Sequence, residues 1–332
     1  MVSVIPVAET KIDLKDRKIL YELDLDCRQS NTQIGKKVGL TRDVVAYRIK
    51  RMEEEGVITN FWTAINTFKL GYQVYRIYIN FQYVSQSVKE EIIQHFVDYK
   101  NTWTVYSTLR SEIDLGVIVW VNNIFEFYQF WEKTLDRFEN YFERYVVSIY
   151  TQSVCYKKSY LFPDSQKSSD HKMYIDTSDE KIVNIDEIDY QILNELAVNA
   201  RKPLIDVAEK LKCSSQTVNY HLKNLIDYGI IQAFRVNINL SKLNLQHFKI
   251  EIYLRDHTQK KPIVTFLESK RYLNNLNLVI GWADIEPEVI VKDVNELNQI
   301  LTEIDTTFPN SIKKQNYWIT EKKYKDRWLP EY

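Results

Sequence analysis

The sequence predicts an α+β protein in which one unit, three short helices followed by a βαββαβ sandwich, occurs twice along the chain. Shifting the sequence by 173 positions aligns residues 12–71 with 185–244 without a gap. About 19 of these 60 pairs are identical, where roughly four would match by chance. Each copy begins with helical periodicity and then changes to the two-residue alternation of strands. The same order of strands and helices follows both copies.

The third helix of each copy carries the clearest local signals. In the first copy it is expected from about Arg42 to Glu55, after Thr41, whose hydroxyl can accept a bond from an unpaired amide of the first turn. Gly56 then stands where a left-handed residue commonly ends a helix. Ser214 and Gly229 take these positions in the second copy. The apolar residues lie on one helical face, which predicts burial of that face: Val45, Ile49, Met52, Val218, Leu222 and Leu225.

Two earlier helices and one strand complete each unit. Helices are predicted at about 14–25 and 32–38, and a tight turn at Gly39-Leu40 joins the second helix to the third. This order is the helix-turn-helix plan. A β-prone run follows each third helix, to Asn66 and Asn239, and is interpreted as a wing strand.

A ferredoxin-like sandwich is predicted after the first helical unit. Its elements are expected as a strand at 74–81, a helix at 88–99, strands at 103–108 and 113–121, a helix at 125–142 and a strand at 144–151. Residues 162–183 lose this periodicity and are interpreted as a linker between domains. The second sandwich is predicted as strands at 247–254, 276–280, 288–291 and 311–320 with helices from 262 and at 294–306, and the tail from Lys322 is expected to pack on the sheet.

Residues 13–58 resemble the winged helix-turn-helix of the Lrp/AsnC family of transcription regulators. The similarity is carried by the opening acidic pair, an Arg before helix two, a Leu-Thr step, an Arg-Ile pair and a Gly-Val-Ile ending: Asp13, Asp16, Arg28, Leu40, Thr41, Arg48, Ile49, Gly56, Val57 and Ile58. In the second copy Cys213 replaces the Leu and His221 replaces the Arg.

The resemblance implies a domain plan and an effector site. It suggests winged helix-turn-helix domains at 11–66 and 184–239, and family-type regulatory (RAM) sandwiches at 72–160 and 245–325, with amino acids bound by the sandwich. Gly281 and Asp284 match the family's Gly-x-x-Asp turn, although an ordinary β-turn explains them equally well. The corresponding run of the first half, 109–114, contains no Gly.

Bulk properties narrow the class of protein. The sequence has no run of 18 apolar residues, so membrane spanning is not expected. Three scattered cysteines do not make a disulfide framework or a zinc site, and a reducing cytoplasm is the expected compartment. The net charge is −1, yet residues 36–51 carry a local charge of roughly +5 and residues 209–224 roughly +2. The first copy is therefore expected to hold phosphates more strongly.

Double-stranded DNA is the predicted partner of both third helices, the alternative being an ordinary solvated surface. Arg42, Tyr47 and Lys50 are the expected base or phosphate contacts, and Gln216 and Asn219 could read adenine. Lys36, Lys37, Arg48 and Arg51 are expected to anchor phosphates. The remaining predicted contacts are Thr41, Asp43, Ser214, Ser215, Tyr220 and Lys223. For Arg28 and Arg201, pairing with an acid of helix one is an equally good interpretation.

No catalytic motif, metal site or cofactor is predicted. The five His are dispersed, and no phosphate-binding glycine loop or nucleophile elbow occurs. Two alternatives remain. One is an enzyme similar to siroheme decarboxylases, which share this plan and would need a cluster of His, Arg and Tyr on the sheet. Tyr106, Arg110 and His247 are too scattered in the sequence to predict such a cluster. The other is a sensor or scaffold that does not bind DNA.

The sequence therefore predicts a tandem Lrp/AsnC-like transcription regulator, not an enzyme. Its two halves are expected to pair internally as a pseudo-dimer, and further homo-oligomers remain open. Because the two recognition faces differ, an asymmetric DNA site is expected rather than a palindrome.

Overall fold

The computed structural model describes residues 11–109, 112–162 and 171–331. Both helical units and both sandwiches form in the predicted order. The helices are α1 (Leu14–Leu25), α2 (Asn31–Val38), α3 (Arg42–Glu54), α4 (Gln86–Asp98), α5 (Ile124–Phe138), α6 (Glu187–Val198), α7 (Leu204–Leu211), α8 (Ser215–Asp227), α9 (Lys260–Glu268) and α10 (Val294–Thr307). The strands are β1 (Ile58–Ile65), β2 (Gln73–Phe81), β3 (Thr102–Leu109), β4 (Leu115–Val121), β5 (Phe142–Tyr156), β6 (Lys172–Thr177), β7 (Ile231–Ile238), β8 (Gln246–Leu254), β9 (Leu273–Ile280), β10 (Glu286–Val291) and β11 (Ile312–Asp326).

Side-chain caps fix the start of most helices in the two helical units. The Asp13 carboxylate accepts from the Asp16 amide and the Asp16 carboxylate accepts from the Asp13 amide, and Asp186 and Asp189 repeat this reciprocal pair in the second unit. Helix α7 is the exception, because Pro203 precedes it and offers no side-chain acceptor. None of the described helices is long and apolar enough to cross a membrane.

The wing strands of the two copies pair with each other. Strands β1 and β7 form a two-stranded antiparallel ladder in which Trp62 lies opposite Arg235. These two residues are equivalent under the 173-residue shift, so the pseudo-twofold axis passes between them. The ladder satisfies backbone groups that neither copy could satisfy alone.

Each copy also contributes backbone and arginine contacts to the other copy. The Cys27 amide donates to the Phe234 carbonyl, and the equivalent Ala200 amide donates to the Phe61 carbonyl. Arg28 lies 5.5 Å from the centre of the Phe234 ring, and Arg201 lies 5.1 Å from the centre of the Phe61 ring. Arg28 also donates to the Ala200 carbonyl at 2.6 Å. These arginines therefore join the two copies, and the suggested pairing with an acid of helix one is wrong for Arg28.

The two sandwiches close into one eight-stranded barrel. Within the first sandwich the order is β3-β4-β2-β5, and within the second it is β9-β10-β8-β11. The long strands β5 and β11 each continue into the other half, so that β5 pairs with β9 and β11 pairs with β3. A barrel of eight strands is wide enough to be filled by side chains or to hold one small ligand.

Alternation along the strands separates the barrel interior from the helix-covered outside. In β2, Tyr75, Ile77 and Ile79 pack in the same buried cluster as the helices α4 and α5. Val74 and Tyr78, on the opposite face of β2, belong to a second buried cluster, which contains side chains from strands around the barrel. Gly116 faces Tyr106, because a Cβ at residue 116 would lie 2.3 Å from the ring.

A buried ion network crosses the barrel interior. Arg76 makes two 2.6 Å hydrogen bonds to the Glu286 carboxylate, and Lys249, the residue equivalent to Arg76, lies 2.8 Å from the same group. Burial alone would raise the pKa of Glu286, but Arg76 and Lys249 outweigh it and hold the pKa below its usual range.

The segment interpreted as a linker contributes a strand. Residues 172–177 form β6, which pairs with the second half of β5. Residues 163–170 lie outside the described residues. The tail extends β11 to Asp326, and Trp328 then stacks on Trp62 of the wing with ring centroids 4.0 Å apart. The tail therefore packs on the wing as well as on the barrel.

A buried ion pair ties α1 to the wing ladder. Arg235 donates to both oxygens of Asp24 at 2.8 Å, and the Lys158 ammonium lies 3.4 Å from the same carboxylate. Asp24 has no exposed surface. Burial alone would raise the pKa of Asp24, but the two cations outweigh it and lower the pKa.

We expect Asp24→Asn to lower the free energy of unfolding by about 3–5 kcal/mol near pH 7, because it leaves Arg235 and Lys158 buried without a counter-charge. A carboxyl group with a lowered folded-state pKa stabilises the protein above its unfolded-state pKa, and that contribution is lost as the pH falls through the folded-state pKa. The difference in the free energy of unfolding between Asp24→Asn and wild type should therefore become smaller at acid pH. Chemical denaturation over a pH series measures both effects.

The exposed Asp98→Asn substitution is the matched control and should change stability by no more than about 0.5 kcal/mol. Equal stability of Asp24→Asn and Asp98→Asn at pH 7 would contradict the role given to this ion pair.

Candidate nucleic-acid interface

Helix α3 presents the polar face predicted from the sequence. Its N-cap residue Thr41 accepts from the Val44 amide, which fixes the first turn. Arg42, Asp43 and Lys50 are exposed, and Tyr47 keeps 66% of its surface accessible. Lys50 has only a loose neighbour, the Glu54 carboxylate at 3.7 Å. The first turn and outer face of α3 are therefore accessible to a macromolecular ligand.

Helix α8 repeats this arrangement with different side chains. Ser214 caps the helix by accepting from the Thr217 amide. Gln216, Lys223 and Tyr220 are exposed, and Tyr220 keeps 65% of its surface accessible at the position equivalent to Tyr47. Asn219 is also exposed, but its side-chain amide donates to the Ser215 carbonyl of its own helix at 2.8 Å. Ser215 itself is partly buried.

Two of the predicted phosphate anchors are held by acids of α1. Arg48 donates to Asp13 and to Asp16, both at 2.8 Å, and Arg51 donates to Asp16 at 2.7 Å. Asp16 has no exposed surface. A buried carboxylate requires compensating partners, so Arg48 and Arg51 fasten the recognition helix to α1.

The second copy replaces this arginine contact by a histidine. His221 Nδ1 lies 2.8 Å from Asp189 and 3.8 Å from Asp186. The three side chains are close enough to surround a cation. Because they occupy the positions of Arg48, Asp13 and Asp16, their geometry is explained by the same contact between α6 and α8, and no metal site is assigned.

The two lysines of α2 differ in their surroundings. The Lys37 ammonium lies 2.7 Å from the Glu22 carboxylate and donates to Gln29, also at 2.7 Å. Lys36 is exposed without an ion pair among the described residues. Intramolecular contacts therefore reduce the free positive charge of α2 and α3, whose exposed cations outside these close contacts are Lys36, Arg42 and Lys50.

Comparison with known proteins places this pair of helical units in a family. A family model described as "Winged helix-turn-helix DNA-binding" matches residues 12–59 and 185–232. An uncharacterised HTH-type transcriptional regulator of Pyrococcus horikoshii is 35% identical over 145 residues, which are 41% of this chain and 92% of that protein. The chain belongs to the Lrp/AsnC family of transcription regulators.

Further similarities agree with a duplicated Lrp/AsnC chain. The HTH-type transcriptional regulator LrpB of Bacillus subtilis is 25% identical over 122 residues, which are 37% of this chain and 82% of that protein. Several other relatives match over only about two fifths of their own length. The crystal structure of the siroheme decarboxylase NirDL has a TM-score of 0.63 at 12% identity and covers 94% of this chain and 92% of that one, which shows a shared fold.

The Gly-x-x-Asp turn of this Lrp/AsnC chain is built into the barrel. Gly281 has φ +93°, and a Cβ there would lie 2.7 Å from the Val147 carbonyl oxygen. The Asp284 carboxylate accepts from the Leu254 amide at 2.7 Å, as Asp114 accepts from Phe81 in the first half. Asp284 therefore holds a strand end, while Gly281 borders an open cavity of about 370 Å³.

Two of the residues that are too scattered in the sequence to predict a tetrapyrrole site meet at one cavity. Tyr106 and His247 both line a cavity of about 150 Å³ inside the barrel, and His247 contacts Glu288 at 3.1 Å. Arg110 lies outside the described residues. His247 and Glu288 also line an adjoining cavity of about 350 Å³. Ligand pockets usually have roughly 300–1,000 Å³, so the joined space has the size of an ordinary ligand pocket.

Sequence reasoning missed two features of the interface. The first is the cluster of Arg48 and Arg51 on Asp16, for which the Asp-x-x-Asp motif and the i, i+3 spacing of the arginines were the available signals. The second is the cross-copy role of Arg28 and Arg201. Their equivalence under the repeat shift indicated a shared role, but the partner strand could not be identified without the pairing of β1 with β7.

We expect Arg48→Ala to lower the free energy of unfolding by about 1–3 kcal/mol, because it removes a charge-assisted hydrogen bond from the buried Asp16. Arg42→Ala removes the same charge from the exposed end of the same helix and should change stability by no more than about 0.5 kcal/mol. Thermal and chemical unfolding of both variants measure this difference. Equal free energies of unfolding for Arg48→Ala and Arg42→Ala would contradict the structural role assigned to Arg48.

Proposed function

We propose that this chain is a sequence-specific DNA-binding transcription regulator in which two fused winged helix-turn-helix units contact one duplex. The observation that supports this most directly is the exposure of both recognition faces. Arg42, Tyr47 and Lys50 on α3, and Gln216 and Lys223 on α8, remain open to solvent in the folded chain.

The exposed side chains divide into two roles. Lys36 and Lys50 offer unburied ammonium groups suited to phosphates, which set affinity and register. Arg42 stands in the first turn of the recognition helix, from which side chains reach base edges in the major groove. Tyr47 and Tyr220 place an aromatic ring at the same position of both helices and can contact a thymine methyl or a sugar.

Basic side chains that are already paired with carboxylates are expected to contribute less to DNA binding. Arg48 and Arg51 are already bound to Asp16, and Lys37 is bound to Glu22. A phosphate would have to compete with these carboxylates. The caps Thr41 and Ser214 fix the helix starts, and Asp43 and Ser215 flank the contact surface.

We also propose that the cavity beside Gly281 binds a small effector. The open cavity beside Gly281 is also lined by Arg144 and Lys313, which could hold the carboxylate of an amino acid. Lys314 and Glu112 line it too, but they are paired with each other at 3.1 Å. Asp284 would act there only through the turn, because its carboxylate is engaged with Leu254. A regulator of this kind would act in the cytoplasm.

The enzyme alternative is the weaker proposal. The NirDL likeness concerns the fold alone, whereas the relative with 35% identity is named as an HTH-type transcriptional regulator. Co-purification of a bound chromophore with a Soret absorption band would support the enzyme, whereas loss of DNA binding in the variants below supports the regulator.

The double substitution Arg42→Ala with Lys50→Ala should weaken DNA binding by roughly ten- to a hundred-fold, because it removes one base or phosphate contact and one phosphate contact. The slope of log affinity against log salt concentration should fall by about 1–2. Fluorescence anisotropy with a labelled duplex at several salt concentrations measures both changes.

Lys133→Ala with Lys292→Ala is the matched control, because both lysines are exposed on the barrel and the change in net charge is the same. Its DNA affinity should stay within about two-fold of wild type. If the control loses as much affinity as the interface variant, binding reflects overall charge and the assigned interface is wrong.

The two unlike recognition faces should select an asymmetric DNA site. Arg42 and Asp43 on α3 correspond to Ser215 and Gln216 on α8, so the two half-sites would be read by different groups. Selection from a random duplex library followed by sequencing measures the preference. Recovery of perfect inverted repeats would contradict unequal reading by the two heads.

A further inference from the structure

One end of the barrel interior opens into a chamber beneath the wing ladder. Two adjoining cavities of about 150 Å³ and 40 Å³ share Trp103, Tyr150, Ser153, Tyr174, Asp176 and Trp328 as walls. The smaller cavity also reaches Trp62 and Ala64 of β1 and Trp120 of β4. We call this space the indole chamber. It is bounded by a wing strand, barrel strands, β6 and the tail, so it lies where these elements meet.

Four tryptophans form a continuous wall of this chamber. Trp120 stacks on Trp103 with ring centroids 5.6 Å apart, Trp103 meets Trp328 edge-on at 5.3 Å, and Trp328 stacks on Trp62 at 4.0 Å. Nε1 of Trp62 and Nε1 of Trp120 are both buried without a hydrogen-bond partner among the described residues. Buried polar groups are ordinarily paired, so these two donors indicate space for a bound group or water.

The charges of the chamber are balanced at every described wall position except one. His247 contacts Glu288, Lys249 contacts Glu286, and Lys323 contacts Asp326. Asp176 has no cation within ion-pair distance in the described chain, and its Oδ1 is buried without a hydrogen-bond partner. Lys69 acts on Asp176 electrostatically, but its ammonium is paired with Glu180 at 3.8 Å.

We propose that the indole chamber binds a small organic ammonium compound, with Asp176 as its counter-charge and the tryptophan rings around its apolar body. The ligand class follows from the two kinds of wall. An ammonium group supplies the positive counter-charge that the Asp176 carboxylate lacks. A cation next to the faces of tryptophan rings is also attracted by the quadrupoles of the rings. Recognition of ammonium ligands by aromatic cages uses the same two interactions.

An anion or a purely neutral ligand fits less well. A carboxylate would lie beside Asp176 and repel it, since the chamber cations already have partners. A neutral aromatic molecule would fill the space but leave Asp176 without a counter-charge. Burial raises the pKa of the Asp176 carboxyl to about 7, with the Gln232 side chain opposing this rise. A bound ammonium group would stabilise the ionised form.

The position of the chamber connects ligand binding to the helical units. Trp62 is both a wall of the chamber and a member of the wing ladder, opposite Arg235 at the pseudo-twofold axis. A ligand that packs on Trp62 therefore touches the strand pair that orients both recognition helices. This regulatory consequence rests on the proposed function, whereas binding in the chamber does not.

Titration of the full-length protein with phenethylamine, tyramine, agmatine and choline tests the site, with calorimetry and tryptophan fluorescence as readouts. We expect at least one of these amines to bind with one site per chain and to change the fluorescence. Asp176→Asn should weaken that binding at least ten-fold while circular dichroism stays unchanged. Trp103→Ala should weaken it independently, because it removes one ring of the wall.

Asp179→Asn is the matched control, since Asp179 is an exposed acid in the turn after β6, and it should bind as wild type does. Phenylpropionate, which carries a carboxylate in place of the ammonium group, should not bind. The proposal is overturned if none of the four amines binds, which leaves a chamber filled by water only, or if Asp176→Asn binds as tightly as wild type. Because these measurements contain no DNA, they separate failure of the site from failure of the proposed function.

Discussion

The pairing of β1 with β7 is the constraint on which the rest of the structure depends. Each wing strand has a row of backbone donors and acceptors with no other strand partner in the described chain. Joining the two strands satisfies both rows and fixes the two helical units back to back. The same arrangement places α1 against β7 and α6 against β1, with Arg28 on Phe234 and Arg201 on Phe61. Each unit therefore completes the core of the other.

Fusion of the two copies allows residues at the pseudo-twofold axis to differ. In a symmetric dimer the axis position would carry the same residue twice. Here Trp62 faces Arg235, and the acid that binds Arg235 is Asp24, whose equivalent in the second copy is Ala197. Two arginines at this position would repel each other, and two tryptophans would leave Asp24 without the arginine that binds it. The duplicated chain can thus bury one ion pair and one indole at the same axis.

The barrel shows the same use of asymmetry. Arg76 and Lys249 are equivalent residues, yet both bind the single acid Glu286. In the first half, Gly116 on β4 instead faces the Tyr106 ring, for which a Cβ would leave no room. One half supplies the aromatic filling and the other supplies the carboxylate.

Local patterns in the sequence predicted the elements but not the long-range pairs between them. The apolar stripes of Val45 and Val218, the caps and the repeat shift were sufficient for the helical units and for the order of the sandwiches. The predicted end of β5 at residue 151 was too early, because the strand continues to Tyr156 to pair with β9 of the other half. Strand β6 was missed because it is short, only partly buried and flanked by residues rich in Ser, Asp and Lys, and its stability comes from pairing with the edge of β5. The candidate DNA contacts follow from the polar face of each third helix, and this pattern cannot distinguish the exposed Arg42 from Arg48, which is held by a buried acid.

The wing ladder also limits how the barrel could influence the recognition helices. Helices α3 and α8 are anchored to α1 and α6, and those helices pack on the ladder. The ladder in turn meets the barrel through Trp62, which stacks on Trp328, and through Arg235, which contacts the Tyr156 carbonyl of β5. A change inside the barrel that shifts the spacing of the two recognition faces would therefore act through this junction, and the asymmetric residues of the pseudo-twofold axis lie within it.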